Sequence, residues 1–173
     1  YFLFPANGLQ KVPDSVSDGE AALVEPFRTS LGAVRVAEIG PGDSVVIIGA
    51  GKIGLGALLA AKLAGAAPII VVDLVNSRLD KALEMGADAV LNGKEVDVVS
   101  EVVRLTEAGP DAVLICVRDG KVLNQAIDMA RRGGTIVLAG FVLPTEITPG
   151  IMLWKNLRLI GEKGTAALSF SMR

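Results

Sequence analysis

The stretch Ser44–Asp73, SVVIIGAGKIGLGALLAAKLAGAAPIIVVD, contains the pattern that decides the fold. Its first residues, 44–48, are apolar and largely β-branched, which predicts a strand that is buried on both faces. A glycine turn and an Ala-rich apolar segment follow, and they predict a helix that ends at Ala64. A second apolar run at 68–72 predicts another strand, with Asp73 at its end. This order predicts a βαβ unit.

The turn has the spacing G-x-G-x-x-G, which is typical of dinucleotide-binding proteins. Gly49 permits a tight turn, Gly51 carries no Cβ where a pyrophosphate would approach the backbone, and Gly54 allows the helix to pack closely on the strand. The free N–H groups and the positive dipole end of the helix bind anionic oxygens without a basic side chain. We therefore expect Lys52 and Ile53 to contact the cofactor as part of the turn, although the lysine charge is not required.

Asp73 lies about 20 residues after the last glycine, where a carboxylate accepts the hydroxyl groups of an adenosine ribose. The alternative is a βαβ turn without a ligand, in which Asp73 caps the helix that begins near Asn76. The strand, the glycines, the helix and the acid follow one another at the spacing of a dinucleotide-binding βαβ unit. That agreement favours nucleotide binding over the alternative.

Downstream of Asp73, predicted strands alternate with predicted helices. The full set of strands is expected at 44–48, 68–72, 87–91, 111–117, 135–139 and 157–160. Helices are expected at 76–84, 96–106 and 121–132, with Asn76 as the cap of the first. Such alternation predicts a doubly wound α/β fold of the Rossmann type, with a parallel sheet in the order 3-2-1-4-5-6.

The residues before the glycine stretch have a different pattern. Short strands are expected at 1–4 and 9–12, and they need partners from elsewhere because an isolated hairpin is marginally stable in water. Ser17, with an acid three residues later, predicts a helix cap. A helix is expected at 21–39, broken or kinked at Pro26. This N-terminal part therefore resembles the end of another domain and a connecting helix.

The composition excludes several kinds of site. The net charge of −2 and a pI of about 5.2 argue against nucleic acid or an anionic membrane surface as a partner. The chain has no histidine, which excludes a Ser-His-Asp triad or an H-E-x-x-H zinc site within it. Its single cysteine, Cys116, fits a reducing compartment, and no apolar stretch reaches the roughly 20 residues that span a bilayer. We expect a cytoplasmic protein that does not enter a membrane.

Ligands of a doubly wound sheet lie beyond the carboxyl ends of its strands, where the strand order reverses. The glycine turn is therefore expected to line a groove with Cys116 and Val117 after the fourth strand, and with Ala139, Gly140 and Phe141 after the fifth. Each of these positions also has an alternative role. Val117 and Ala139 are equally suited to be core residues, and Gly140 is equally suited to be a turn residue. Cys116 is also suited to be a buried structural thiol.

Four motifs resemble the medium-chain dehydrogenase/reductase family, and in particular its zinc-dependent alcohol and polyol dehydrogenases. They are VPDSVSDGEAALVEPF (12–27), PGDSVVIIGAGKIGL (41–55), VVDLVNSRLDKALEMGAD (71–88) and RRGGTIVLAG (131–140). The resemblance implies a cofactor-binding domain at 41–165. Residues 1–40 would then be the tail of a catalytic domain with its connecting helix, and 166–173 the start of a C-terminal return.

The resemblance also implies chemistry. NAD would bind to this chain, and zinc in the full-length enzyme would assist hydride transfer from an alcohol or polyol. Glu25 matches a position at or near the zinc, Thr29 a nicotinamide contact and Arg78 a contact to the adenosine ribose. For Glu25 and Arg78 the alternative is a solvated helix residue. The family's other zinc ligands would lie before Tyr1, so this chain alone is expected to bind cofactor without turnover.

The resemblance further implies a homodimer or higher homo-oligomer, in which the sheets of two chains join edge to edge. The apolar residues 151–154 are expected to form the unprotected edge that pairs. Three other functions remain as alternatives. A zinc-independent quinone or enoyl reductase would favour NADPH and usually lacks the acid at Asp73. A methyltransferase also has glycines after its first strand and an acid after its second, but its cofactor has no pyrophosphate. The third alternative is a non-catalytic nucleotide-binding module, and the sequence supplies no regulatory domain to support it.

Overall fold

The computed structural model describes residues 11–163 of the 173-residue chain. The strand predicted at 1–4, the first part of the one predicted at 9–12, and the segment 166–173 lie outside the described residues. Within the described part, no helix is long and apolar enough to cross a bilayer.

Six strands alternate with helices from Val45 onward. The strands are β1 (Val45–Ile48), β2 (Ile69–Asp73), β3 (Ala89–Asn92), β4 (Ala112–Ile115), β5 (Thr135–Leu138) and β6 (Arg158–Gly161). The helices are α1 (Asp18–Ala21), α2 (Val24–Val36), α3 (Lys52–Leu63), α4 (Asn76–Glu84), α5 (Val98–Thr106), α6 (Lys121–Met129) and α7 (Pro149–Lys155).

All pairings in the sheet are parallel, and the order is β3-β2-β1-β4-β5-β6. This confirms the predicted doubly wound topology. Ile48, the last residue of β1, lies opposite Val72 in β2 and Ile115 in β4. The three central strands therefore end at nearly the same height in the sheet, and the loops that follow them lie together at one edge.

Alternate residues of β1 pack into two different cores, as expected for a strand covered on both faces. Ile47 belongs to the core shared with α2 and α3, in which Leu58 is fully buried. Val46 belongs to the core on the other face, with Val102 of α5 and Ile127 of α6. Because each buried aliphatic side chain contributes about 1.5–3 kcal/mol, both layers of helices are held firmly on the sheet.

The helix predicted at 21–39 is interrupted, but the break precedes Pro26. A proline ring clashes with the carbonyl of the residue four positions earlier, so one helix cannot run from Ala22 through the proline. Starting α2 at Val24 places the proline in the first turn, where a missing N–H costs no intrahelical hydrogen bond. The helix ends at Val36, before the predicted end.

The residues 151–154 do not form an edge strand, contrary to the prediction. They lie in α7, which begins at Pro149, a residue suited to the first position of a helix. Asn156 ends this helix in the left-handed conformation, with φ of 55°. The edge of the sheet is instead formed by β6, whose only strand neighbour among the described residues is β5.

Two predictions about helix ends differ in outcome. The capping box is confirmed, since the backbone N–H of Ser17 donates to the Glu20 carboxylate at 2.8 Å and the Ser17 hydroxyl accepts from the Glu20 N–H at 3.3 Å. Asn76 is not a cap, because Val75 occupies the N-cap position and Asn76 is the first residue of α4. Its side-chain oxygen accepts instead from the amide of Asn92.

Candidate functional site

Two of the three glycines in the turn are required by its backbone conformation or by its internal packing. Gly49 has φ of 105°, a conformation that favours glycine, and a Cβ there would lie 2.5 Å from the Val117 side chain. At Gly54 a Cβ would overlap the carbonyl oxygen of Gly49. The chain's own packing therefore requires glycine at both positions.

Gly51 differs from the other two glycines. Its φ of −82° and ψ of −172° suit any residue, and a Cβ built on it would meet nothing within 4 Å. Neither backbone conformation nor internal packing requires glycine at this position. The open space beside it is the place where a pyrophosphate would approach the backbone, so the turn fits a dinucleotide.

The helix after the turn presents free N–H groups to this space. α3 begins at Lys52 with Gly51 as its N-cap, and no side chain caps it. The first N–H groups of a helix have no intrahelical partner, and the dipole adds partial positive charge there. The exposed Lys52 side chain adds its charge at the same helix end. An anionic group is the natural ligand of such a helix end.

α2 fixes the position of this helix end. The Ser30 hydroxyl donates to the Ile53 carbonyl at 2.7 Å and lies 3.0 Å from the Pro26 carbonyl of its own helix. A Cβ at Gly56 would lie 2.5 Å from that hydroxyl, so the glycine lets the two helices approach closely. The sequence predicted α2 but not this contact, because nothing local distinguishes Ser30 from a solvated helix serine.

Asp73 is buried, with 9% of its surface exposed, and its carboxylate accepts three backbone hydrogen bonds. Oδ2 accepts from the N–H of Ala50 at 2.7 Å. Oδ1 accepts from the N–H groups of Leu74 at 2.7 Å and Val75 at 3.0 Å. The Arg78 guanidinium lies 3.7 Å from Oδ2. The carboxylate thus joins the end of β2 both to the glycine turn and to the approach to α4.

A cavity of about 430 Å³ opens beyond the carboxyl ends of the central strands. Its apolar lining comes mainly from strand ends and flanking helices: Ile48, Val72, Leu74, Val98, Val117 and Val122. Its polar lining consists of Asp73, Arg78, Asp119, Lys121 and Gln125. A mostly apolar slot with polar groups at its rim suits a flat aromatic base attached to a polar sugar.

The structure brings together four of the predicted residues in the lining of this cavity: Gly49, Asp73, Arg78 and Val117. Sequence reasoning missed the loop after β3, represented by Gly93, and the start of α6, represented by Lys121 and Gln125. The predicted strand order already placed both segments near the groove, and this was the signal that could have found them.

The remaining predicted residues lie along the same edge but outside the cavity lining. At Gly140 a Cβ would lie 2.6 Å from the Val117 carbonyl oxygen, so the loops after β4 and β5 touch there. Ala139 packs against the core and Phe141 is exposed. Burial raises the pKa of the Cys116 thiol to about 12, which keeps it neutral and unreactive near pH 7.

The two predicted positions on α2 have different surroundings. Thr29 is buried, with 8% of its surface exposed, whereas Glu25 is exposed in the first turn. Across residues 11–163, no group of three or more His, Cys, Asp or Glu side chains is arranged to hold a metal ion. The described residues therefore do not by themselves form a zinc site.

Comparison with known proteins agrees with this geometry. The family model described as zinc-binding dehydrogenase matches residues 53–170. Sorbitol dehydrogenase of Bos taurus is 36% identical over 167 residues, which cover 95% of this chain and 46% of that protein. The chain therefore spans less than half the length of this curated relative.

Two similar solved structures contain a bound nicotinamide cofactor. A Sinorhizobium meliloti protein with bound NADP is 30% identical, with a TM-score of 0.83 over 90% of this chain and 49% of that one. An alcohol dehydrogenase of Escherichia coli CFT073 in complex with NADH is 26% identical, with a TM-score of 0.86 over 96% of this chain and 50% of that one. The similar structures thus include both forms of the cofactor.

Proposed function

The chain belongs to the zinc-binding dehydrogenase family, and from this membership we propose that it is the cofactor-binding domain of an NAD-dependent oxidoreductase. The whole enzyme would transfer a hydride between the nicotinamide and an alcohol or polyol. The observation that carries the proposal is the open space at Gly51, which faces an uncapped helix N-terminus and which the chain's own packing does not explain.

The residues of this chain would bind and orient the cofactor. Gly49 would allow the tight turn, and Gly51, Lys52, Ile53 and Gly54 would hold the pyrophosphate through backbone N–H groups and the helix dipole. NAD, when bound, supplies the hydride acceptor. The direction in which the cofactor lies along the strand ends would determine which face of the nicotinamide ring meets the substrate.

The two ends of the cofactor would meet different parts of the site. Asp73 and Arg78 would contact the adenosine ribose, while the apolar cavity would receive the adenine. The nicotinamide end would lie toward Thr29, Cys116, Ala139, Gly140 and Phe141, whereas Val117 lines the cavity for the adenine. Support for this orientation comes from the strand order, because the ends of β4 and β5 lie on the side of β1 opposite to β2.

We propose NAD rather than NADP as the cofactor. The support is the buried carboxylate of Asp73, which would face the additional 2′-phosphate of NADP. Zinc would be held by the rest of the whole enzyme, with Glu25 as the one candidate from this chain. Residues 41–165 would form the dinucleotide-binding unit, 1–40 the end of the catalytic domain, and 166–173 the start of the C-terminal return.

We also propose that the enzyme is cytoplasmic and forms a homodimer through α7 and the edge strand β6. The single cysteine in the sequence supports a reducing compartment. The dimer is supported by large apolar side chains on α7 that face solvent, Leu153 being 85% and Trp154 65% exposed.

The experiment that tests the proposed function adds a side chain at Gly51. Gly51→Val should leave the fold intact, because its φ suits valine and its surroundings are open, yet the new side chain fills the space for the pyrophosphate. We expect calorimetric titration to show NADH binding weakened at least about tenfold, or ~1.4 kcal/mol.

The matched control is Gly19→Val, since a Cβ at Gly19 also meets nothing within 4 Å and this glycine lies in α1. It should bind NADH as the unmutated chain does. Unchanged affinity in the Gly51 variant, with circular dichroism showing an intact fold, would contradict the proposed site.

A further inference from the structure

The three backbone hydrogen bonds to Asp73 leave little of its carboxylate for a ligand. A carboxylate offers about four lone-pair positions. The N–H groups of Leu74 and Val75 occupy both positions of Oδ1, and the N–H of Ala50 occupies one position of Oδ2. One position of Oδ2 therefore remains for a ribose hydroxyl, whereas the sequence predicted that the carboxylate accepts both hydroxyls.

The bond from Ala50 fixes the middle of the glycine turn. Three consecutive residues of the turn are tied: the Gly49 N–H donates to the Val72 carbonyl at 2.7 Å, the Ala50 N–H donates to Asp73 at 2.7 Å, and the Gly51 carbonyl accepts from Leu55 at 2.8 Å. The first and third of these bonds are made by backbone. The second is the only one of the three that a side-chain substitution removes.

Loss of the carboxylate leaves the N–H of Ala50, a residue that is 1% exposed, without its protein acceptor. A buried N–H without a partner is costly, and the peptide would rotate or shift to find one. Such a shift would carry Gly51 and the first N–H groups of α3 with it, since Gly51 is the next residue and the N-cap of that helix.

We infer that Asp73 is a positioning residue for the phosphate-binding turn, in addition to its contact with the ribose. Its carboxylate holds the Ala50 peptide so that the N-terminus of α3 meets the pyrophosphate in the correct orientation. This inference rests on the proposed function. It predicts that loss of Asp73 weakens phosphate recognition as well as sugar recognition.

The test compares AMP with ADP on the 173-residue chain. The two ligands share the adenosine ribose and differ by the second phosphate, so the ribose contact cancels in the ratio of their dissociation constants. We expect the unmutated chain to bind ADP more tightly than AMP. Asp73→Ala should weaken both and reduce the advantage of ADP at least about fivefold, because the charge-assisted bond that orders the turn is lost.

Asp73→Asn provides a second variant if the alanine variant does not fold. Its amide has a single carbonyl oxygen and cannot accept on both sides, so it should also reduce the advantage of ADP. In folded variants, hydrogen exchange at the Ala50 amide should become faster. An unchanged ratio of AMP to ADP affinity in the folded variant would overturn the inference, since Asp73 would then act on the ribose alone.

Asp88→Ala is the matched control. The Asp88 carboxylate accepts from the Ile69 N–H at 2.7 Å, the same kind of bond at the opposite end of β2. This variant should leave the ratio and the Ala50 exchange unchanged, and an equal fall in the ratio would overturn the inference by showing general loosening. If the unmutated chain binds no ADP, the proposed function fails and the inference with it, which separates that outcome from a failure of the inference alone.

Discussion

The carboxylate of Asp73 is surrounded by groups of two kinds. Three backbone N–H groups donate hydrogen bonds to it, and the Arg78 guanidinium forms an ion pair with it, 3.7 Å from Oδ2. The Arg78 side chain is 57% exposed, so water and salt weaken its attraction to the carboxylate. The same exposure leaves the guanidinium able to turn toward a phosphate on the ribose.

This arrangement predicts that the chain binds NADH more tightly than NADPH. A 2′-phosphate near the Asp73 carboxylate would cost on the order of 1–4 kcal/mol. Arg78→Ala should widen the difference, because it removes the positive charge that forms an ion pair with Asp73. Asp73→Ala should narrow it, mainly by weakening NADH. Calorimetric titration of both cofactors measures these changes, and equal affinities in the unmutated chain would contradict the prediction.

Among the elements, all six strands of the sheet were predicted from the sequence. Val45–Ile48 and Ala112–Ile115 are unbroken apolar runs with glycine or proline beside them, which is typical of buried parallel strands. The run 151–154 is equally apolar but forms part of α7. A run of four apolar residues has no measurable period, so Pro149 was the only local signal for a helix.

The candidate site was less predictable than the fold. The glycine spacing and Asp73 follow from local chemistry, whereas the cavity lining depends on which loops meet. Strand order brings the crossovers of Gly93 and Gln125 to the same edge of the sheet, but which of their residues line the cavity depends on packing. The bond between Asp73 and Ala50 likewise depends on the exact separation of β1 and β2, which no local pattern encodes.

A second buried network joins elements at the opposite, amino end of the sheet. Asp111, just before β4, accepts from the backbone N–H and the hydroxyl of Ser44 at 2.8 and 2.6 Å. Its other oxygen accepts from Arg131 at 2.6 Å. Ala130, which follows α6, is extended, so α6 ends at Met129 and Arg131 lies outside the helix that was predicted at 121–132.

We expect Asp111→Ala to lower the free energy of unfolding by about 2 kcal/mol at pH 7, since it leaves buried donors without an acceptor. Desolvation raises the pKa of the Asp111 carboxyl, but hydrogen bonds from Ser44 and the charge of Arg131 lower it more, so the net shift is downward. A lowered folded-state pKa gives stability that is present above the unfolded value of about 3.9 and is lost as the pH falls through the folded value.

The difference in stability between the unmutated chain and Asp111→Ala should therefore shrink below about pH 4. Urea denaturation at several pH values measures it. Asp80→Ala, which removes an exposed acid on α4, is the control and should change the free energy of unfolding little at any pH. A difference that stays constant from pH 7 to pH 3 would contradict the assignment of the pH dependence to Asp111.

In the molecule as a whole, the two ends of the sheet carry different structural features. The carboxyl end carries the glycine turn and the cavity, while the amino end is closed by Asp111 and its partners. The lateral edge at β6 differs from both ends, because apolar side chains of α7 are exposed to solvent beside it. Arg132 stacks on Trp154 with its guanidinium carbon 4.7 Å from the ring centroid, which holds the indole in place on the surface.

We predict that this lateral surface mediates a homodimer, with α7 rather than an edge strand supplying the apolar contacts. Sedimentation over a concentration series should show a monomer–dimer equilibrium that Leu153→Lys shifts toward monomer, because a charge would be placed in the apolar contact.

Leu63→Lys is the matched control: Leu63 is 83% exposed against 85% for Leu153, but it lies on α3, away from this edge. The control should dimerise like the unmutated chain. A chain that stays monomeric from micromolar to near-millimolar concentration would contradict the prediction, and equal weakening by both lysines would show that the contact lies elsewhere.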